Sequence, residues 1–344
     1  MNIFTAITAV DSVQAIKPAG RHWFPRSLNT KPLAVRTLEF FAGIGGLKAA
    51  CPWLDVQAAL DIDRDAMYVY TGNFAGAYIC CELGSVRANQ LDHYQADLWW
   101  MSPPCTPFTQ KGKRNDKADL RTRALEHLIQ LASKLSPRYL VIENVPGFEI
   151  SQCYLELLRA LQQADYETRI CRRCPSQVGW PNRRQRIYLL AWKRPVPQQV
   201  EEQIIKTWSE EPRNETMPPP LPRKLSEFLD PSITRKQYPK LWLDELTYQQ
   251  YQLSIDRVHA EDAQAMTACF GASYGKAINR SGSYLWQDDG YRRFSPREVA
   301  NLLGFSKEFI LPDSLSDRRL WHLLGNSLSL PTVRKLMQFT LVNE

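Results

Sequence analysis

The chain has 344 residues, 44% of them hydrophobic, which is enough for a large core and more than one domain and excludes a disordered chain. Lysine and arginine number 43 against 36 aspartate and glutamate, and the net charge of +7 leans toward a polyanionic partner. No uninterrupted apolar run is long enough for a transmembrane helix, and eight cysteines in this length do not make a disulfide framework. Met1 to Val10 lack a basic segment and a cleavage pattern, so no signal peptide is expected and a reducing cytoplasm is the expected compartment.

Residues 1–34, punctuated by Pro18, Gly20, Pro25 and Pro32, read as a flexible lead. Val35 to Phe41 then predicts a first strand, followed by the glycine turn Ala42-Gly43-Ile44-Gly45-Gly46-Leu47 and a helix from Lys48. Strand, glycine turn and helix open a nucleotide-binding βαβ unit, because glycine lets the backbone approach a ligand and the helix N-terminus favours polar groups. Val56 to Leu60 predicts the second strand. It ends at Asp61-Ile62-Asp63, about 20 residues after the turn, where an acidic side chain takes ribose hydroxyls in such units.

Ala96 to Met101 is an apolar run of buried-strand type, stopped by Pro103 and Pro104, which have no N–H to give a ladder. Cys105 follows at once, outside the carboxyl end of a strand, where open α/β sheets bind their ligands. A small buried hydrophobe is the plainer reading of a free cysteine, but the Pro-Pro-Cys setting favours a reactive thiol. Leu125 to Leu135 predicts an amphipathic helix and Tyr139 to Ile142 a strand, which runs into Glu143-Asn144-Val145-Pro146-Gly147-Phe148. Leu155 to Leu161 predicts another helix. Three arginines in four residues, Arg183, Arg184 and Arg186, stand before a strand at Ile187 to Trp192. Cys171-Arg172-Arg173-Cys174 is a lone CxxC with no second pair, a weak zinc signal.

From 193 to about 224 prolines accumulate, which reads as a linker and the start of a smaller lobe. That lobe holds Tyr238, Trp242, Tyr248, Tyr251, Tyr274, Tyr284 and Trp286 among basic residues, a composition that suits either stacking on exposed bases or a small domain's own core. Helices are predicted over Pro296–Leu303, Arg318–Leu324 and Pro331–Leu341, the second broken by Gly325-Asn326-Ser327. The expected division is thus a lead at 1–34, a catalytic and cofactor lobe at 35–192, a linker with a small target-recognition lobe at 193–290, and a segment at 291–344 that returns to the large lobe.

The glycine turn, Pro103-Pro104-Cys105, Glu143-Asn144-Val145, Arg184-x-Arg186 and Gly325-Asn326-Ser327 follow one another in an order and spacing that resemble the cytosine-5 DNA methyltransferase family. The resemblance covers roughly residues 36 to 343, apart from much of 193–262. Ser102 to Thr109, Glu143 to Glu149, Ala300 to Phe305 and Leu323 to Leu328 look most like the branch that methylates transfer RNA. Asn182 sides with that branch, since the DNA enzymes usually have Gln there. Cys269-Phe270 departs from it, because Gly271 stands where the branch has Thr.

The resemblance implies a Rossmann-like α/β methyltransferase lobe with a smaller recognition lobe. It also implies S-adenosylmethionine as cofactor, no metal, no membrane, and a monomer acting on nucleic acid. Cys105 is then the nucleophile that adds to cytosine carbon 6, and Glu143 the neutral acid at ring nitrogen 3. Arg184 and Arg186 hold the base carbonyl or a phosphate, and Asn144 completes the catalytic set. The carried-over cofactor residues are Phe41, Gly43, Gly45, Asp61, Ile62, Pro103, Asn326 and Ser327. DNA and transfer RNA both stand as substrates. A catalytically inactive nucleic-acid-binding regulator is the rival of another class. A nicotinamide dehydrogenase is a further rival, but it leaves Pro-Pro-Cys and Glu-Asn-Val without a task.

Overall fold

The computed structural model describes residues 35–104, 120–208 and 222–338. The lead, Cys105, residues 209–221 of the proline-rich stretch and the last six residues lie outside the described residues. In chain order the large sheet and its helices are β1 (Arg36–Phe40), α1 (Gly46–Ala50), β2 (Asp55–Asp61), α2 (Arg64–Asn73), β3 (Ala77–Cys80), α3 (Ala88–Asp92), β4 (Leu98–Met101), α4 (Leu120–Leu135), β5 (Tyr139–Asn144), α5 (Gln152–Gln163), β6 (Tyr166–Arg173), β7 (Asn182–Arg183), β8 (Arg186–Lys193) and α6 (Gln198–Thr207). After them come α7 (Glu245–Tyr251), β9 (Asp256–His259), β10 (Thr267–Ala268), β11 (Ser283–Gln287), β12 (Gly290–Arg293), α8 (Pro296–Leu303), α9 (Asp317–Gly325) and α10 (Leu330–Gln338).

Seven strands form one sheet in the order β3-β2-β1-β4-β5-β8-β6, a Rossmann-like arrangement. All pairs from β3 to β5 are parallel, and β8 alone runs against its neighbours. Strand order reverses between β1 and β4, so a crevice opens outside their carboxyl ends. Because β8 is reversed, its first residue, Arg186, comes to that same edge beside the end of β5, with Asn144 opposite Ile187 and Glu143 opposite Tyr188.

The sequence of β4 explains its central place. Leu98, Trp99, Trp100 and Met101 are all buried, two on each face. Leu98 and Trp100 enter one apolar cluster and Trp99 and Met101 the other, as a strand covered by helices on both sides requires. The stretch read as a linker differs in its first part. Residues 198–207 form α6, and Val200, Ile204 and Trp208 are buried, the spacing of one helical face.

The last described segment packs on the first βα unit. The Arg334 guanidinium donates to the Ala50 carbonyl at 3.0 Å. Arg319 of α9 donates to Asp63 at 2.5 Å and to Asp65 at 2.6 Å, and Asp63 also caps α2 by accepting from Asp65 N–H and Ala66 N–H. A separate three-stranded sheet, β12-β11-β9, lies in the stretch between 256 and 293, and β10 pairs in parallel with β7. Among the described residues no helix is long and apolar enough to cross a membrane.

Candidate active site

The first half of the site is the glycine turn. Gly43 and Gly45 take φ of 53° and 86°, the left-handed region that glycine enters without steric cost. A Cβ on Gly45 would lie 2.5 Å from the Phe74 ring, so no larger residue fits there. Among the described residues a Cβ on Gly43 would meet nothing within 4 Å, so its backbone borders open space there. Phe41, also in the left-handed region, turns the chain into this cradle. At the end of β2, Asp61 fixes the turn by accepting from Gly43 N–H at 2.8 Å and from Asp63 N–H at 2.9 Å. Burial raises the Asp61 carboxyl above the usual range, opposed by those backbone donors. A carboxylate has about four lone-pair sites, so one remains for a ligand hydroxyl after the backbone donors of Gly43, Asp63 and Ile62.

Ile62 beside it is 67% exposed, an apolar surface next to a carboxylate. From the far end of the chain come Asn326, which is exposed, and Ser327, which is buried. Among the described residues the Ser327 hydroxyl has no hydrogen-bond partner, and it would sit 3.1 Å from a Cβ placed on Gly46. An open glycine cradle, a ribose-type acid, an exposed apolar side chain and an orphaned hydroxyl fit a nucleoside bearing a polar tail.

Behind the turn lies Glu39, which no motif in the sequence marks out. It is buried in β1, and its Oε1 accepts from Leu47 N–H at 3.3 Å, which ties the strand to the start of α1. Burial pushes its carboxyl up to about 8, against the lowering effects of the Leu47 N–H and Lys48. The folded state therefore keeps a proton that the unfolded chain releases near pH 4.5. Between those values the folded state binds more protons, so stability falls as pH rises through this window. Glu39→Gln is neutral at every pH. In urea titrations from pH 5 to 8.5 the variant is expected to lack this decline and to exceed the parent at the alkaline end by a few kcal/mol, on the order set by the linkage relation. Parallel pH profiles for the two proteins count against a protonated Glu39.

The second half of the site is built at the ends of β4, β5 and β8. Ser102 N–H donates to the Phe40 carbonyl at 3.3 Å, continuing the β1–β4 pairing one step past the strand. The buried Asn144 side chain donates to the Pro103 carbonyl at 3.2 Å and accepts from Val145 N–H at 2.8 Å. Asn144 thereby fixes the Pro-Pro turn that leads to residue 105. Glu143 is buried and pairs with Arg186, Nε to Oε1 at 3.2 Å. Burial raises its carboxyl above the usual range, only partly offset by Arg186 and Arg184.

Arg184 and Arg186, two residues apart in sequence, have different surroundings. Arg184 is 2% exposed. It donates to the carbonyls of Phe270 at 3.2 Å and Gly325 at 3.0 Å, and to that of Ser327. It is an internal brace joining β7, the segment after β10 and the end of α9. Arg186 is the arginine that meets Glu143. The half-buried Cys269 lies 3.4 Å from Arg184 Nη1 and 3.8 Å from Arg186 Nη2. Burial pushes its thiol up, but the two guanidinium groups outweigh that and hold it below the ordinary value. The Cys-Phe pair in the sequence was the available signal for this residue, but its meeting with the arginines was not readable locally.

The structure thus brings Phe41, Gly43, Gly45, Asp61 and Ile62 to one edge of the sheet, and Pro103, Glu143, Asn144 and Arg186 to the same edge. Asn326 and Ser327 join through the contacts of Arg184 and Gly46. Cys105, next in sequence after Pro104, lies outside the described residues. The CxxC cysteines differ in setting, Cys171 being fully buried in β6 and Cys174 half-buried beyond its end.

Residues 35–339 match the model of the family described as C-5 cytosine-specific DNA methylase. A Bos taurus protein named tRNA (cytosine(38)-C(5))-methyltransferase is 27% identical over 389 aligned positions, covering 88% of this chain and 98% of its own length. A Dictyostelium discoideum protein named DNA (cytosine-5)-methyltransferase is also 27% identical, covering 88% of this chain and 93% of its own length. The crystal structure of the S. pombe Dnmt2 methyltransferase superposes with a TM-score of 0.76 at 26% identity, covering 89% of this chain and 98% of that one. With a sheet of the same fold, the glycine cradle and the Glu143–Arg186 pair at one edge, and a family match over nearly the whole described chain, this protein belongs to the C-5 cytosine-specific DNA methylase family.

Proposed function

We propose that this protein transfers a methyl group from S-adenosylmethionine to carbon 5 of a cytosine in transfer RNA, through a covalent adduct with Cys105. The observation that carries the chemistry is Glu143, a buried carboxyl biased toward its neutral form and set beside Arg186 where β5 and β8 meet. A neutral acid there donates a hydrogen bond to ring nitrogen 3 and takes up the negative charge that develops on the ring. Arg186 supports the same charge, Asn144 holds the turn before Cys105, and Arg184 acts through the carbonyls it braces.

S-adenosylmethionine, when bound, supplies an electrophilic methyl group. Asp61 and Ile62 suit its ribose and adenine, the cradle at Gly43 its amino-acid tail, and Asn326 and Ser327 its remaining polar edge. The Cys105 thiol loses its proton and its sulfur bonds to carbon 6, which makes carbon 5 nucleophilic toward the methyl group. Loss of the carbon 5 proton to a base or water then lets the carbon–sulfur bond break and restores the ring and the thiol. The target base leaves its stack to reach the site.

Transfer RNA is favoured because relatives that span this chain and nearly all of themselves carry that name. DNA is the second reading, favoured by the Dictyostelium relative of equal identity. Nucleic acids carrying 5-fluorocytosine test both, since fluorine cannot be removed as a proton and the adduct persists. Fluorinated transfer RNA is expected to give a band that survives denaturing electrophoresis, only with S-adenosylmethionine and only with Cys105 intact. Capture of DNA alone transfers the proposal to DNA. Capture of neither, with cofactor binding demonstrated, favours an inactive nucleic-acid-binding regulator.

A further inference from the structure

The small three-stranded sheet has one face in the core, while its other face is covered at the start, where Tyr284 is buried, and open further along, at Trp286. Val258, Leu285 and Arg292 are buried on the inner face, and Arg292 forms a fully buried pair with Glu298 at 2.8 Å. The alternation of a strand puts Arg257, His259, Tyr284, Trp286, Tyr291 and Arg293 on the other face, and of these Tyr284 is packed against Tyr274 and buried. The register aligns them, Trp286 standing opposite both His259 and Tyr291.

Their rings form a continuous surface. Trp286 meets Tyr291 edge-on at 4.9 Å, Tyr291 stacks on Tyr248 of α7 at 5.2 Å, and His259 lies 6.1 Å from Trp286. Arg257 sits 6.0 Å above the Tyr291 ring. Trp286 is 41% exposed. Of the other aromatics in this stretch, Trp242, Tyr274 and Tyr284 are buried and belong to the core.

The first residues of β9 and β11 lie beside the active site. Ser283, the first residue of β11, accepts from Ala268 N–H at 2.7 Å, and Ala268 precedes Cys269. Arg183, which precedes Arg184, pairs with Asp256 at the start of β9 at 2.8 Å. Trp286 lies three residues along β11 from Ser283, about 10 Å at the rise of a strand. Asp288 and Asp289 form the turn at the far end of the hairpin, so the surface beyond the rings disfavours phosphate and leaves the uncharged face of a base as the better partner.

We propose that the Trp286–Tyr291–Tyr248 surface with His259 and Arg257 is a stacking platform for an unpaired base of the substrate, outside the pocket that receives the cytosine. It rests on the reading of a polynucleotide substrate. Stacking on an aromatic side chain is strong enough to measure and tolerant of base identity. It releases no counterions, so it leaves the salt dependence of binding unchanged, unlike a phosphate contact.

The test uses the full-length protein with bulk transfer RNA, a single-stranded DNA oligonucleotide and a fully paired RNA duplex. Trp286→Ala is expected to weaken binding of the first two about tenfold, within the range found for base–aromatic stacking. The slope of log K against log salt, the affinity for S-adenosylmethionine and kcat are expected to hold, with KM raised. Trp286→Phe is expected to recover most of the loss, and duplex binding to be little affected. Unchanged binding in Trp286→Ala overturns the platform, as does a loss shared equally by the duplex, a changed salt slope, or an effect confined to self-association in sedimentation. If the unmodified protein binds S-adenosylmethionine but none of the three nucleic acids, the polynucleotide reading itself is overturned, and the platform with it.

Discussion

Cys105→Ser is expected to reduce methyl transfer below detection while S-adenosylmethionine affinity stays within about twofold. The reasoning rests on the difference between the two nucleophiles. A thiol with an ordinary pKa near 8.5 is a few per cent ionised at neutral pH, and the thiolate adds readily to an electron-poor carbon. A serine hydroxyl in the same place ionises far less and needs a dedicated base. No cofactor contact is assigned to Cys105, whose task in the proposed reaction lies with the cytosine. Two measurements separate these effects, transfer of tritiated methyl to transfer RNA and calorimetric titration with the cofactor. Appreciable turnover in the serine variant would remove Cys105 from the mechanism. Equal loss of cofactor affinity would make it a structural residue.

Arg184→Ala is expected to produce the largest combined effect on folding and function. The guanidinium is buried, it donates to three backbone carbonyls, and two of them belong to Gly325 and Ser327, on either side of Asn326. Its removal leaves those acceptors without a donor in the interior and takes a positive charge from beside Glu143 and Cys269. Losses of about 3–5 kcal/mol accompany the breaking of a buried charged network of this kind. Because the brace positions Ser327 against the glycine turn, cofactor affinity is expected to fall along with stability. Arg184→Lys keeps the charge but lacks the planar fork that spans several carbonyls. It is expected to recover part of the stability and little of the affinity. Urea midpoints and cofactor titrations on both variants decide this. An Arg184→Ala protein that unfolds at the parent's midpoint would show that the contacts to Gly325 and Ser327 carry no weight.

The legible parts of this protein were those in which local pattern and tertiary environment agree. β4 and β5 are covered on both faces, so an unbroken apolar run is both their sequence signature and their structural requirement. The glycine turn is legible because its backbone angles and the Phe74 ring leave room for nothing else. Asp61, Glu143 and Asn144 follow because a parallel strand delivers its last residues to one edge of the sheet. β6 was missed for the opposite reason. It is an edge strand reading Tyr-Glu-Thr-Arg-Ile-Cys-Arg-Arg, with charged residues at its exposed positions and too few buried ones to set a period. α6 reads as linker in the sequence because flanking prolines outweigh its two buried side chains, Val200 and Ile204.

The sequence by itself determined the family, the order of the motifs and the residue types of the proposed chemistry, since each motif is a short run whose spacing survives without knowledge of its neighbours. Only the tertiary structure decided which of two arginines faces the carboxyl and which braces the interior. Arg184 and Arg186 differ in no local feature, and the carbonyls that hold Arg184 come from residues 86 to 143 positions further along. It likewise decided which aromatics of the small sheet are core and which are surface. Tyr284 and Trp286 stand two residues apart on the same face of β11, but Tyr274 packs on Tyr284 and buries it, whereas Trp286 is left facing solvent. The physical reason is the same in both cases. Burial and charge pairing are set by distant segments meeting in space, and a sequence carries that information only through the fold.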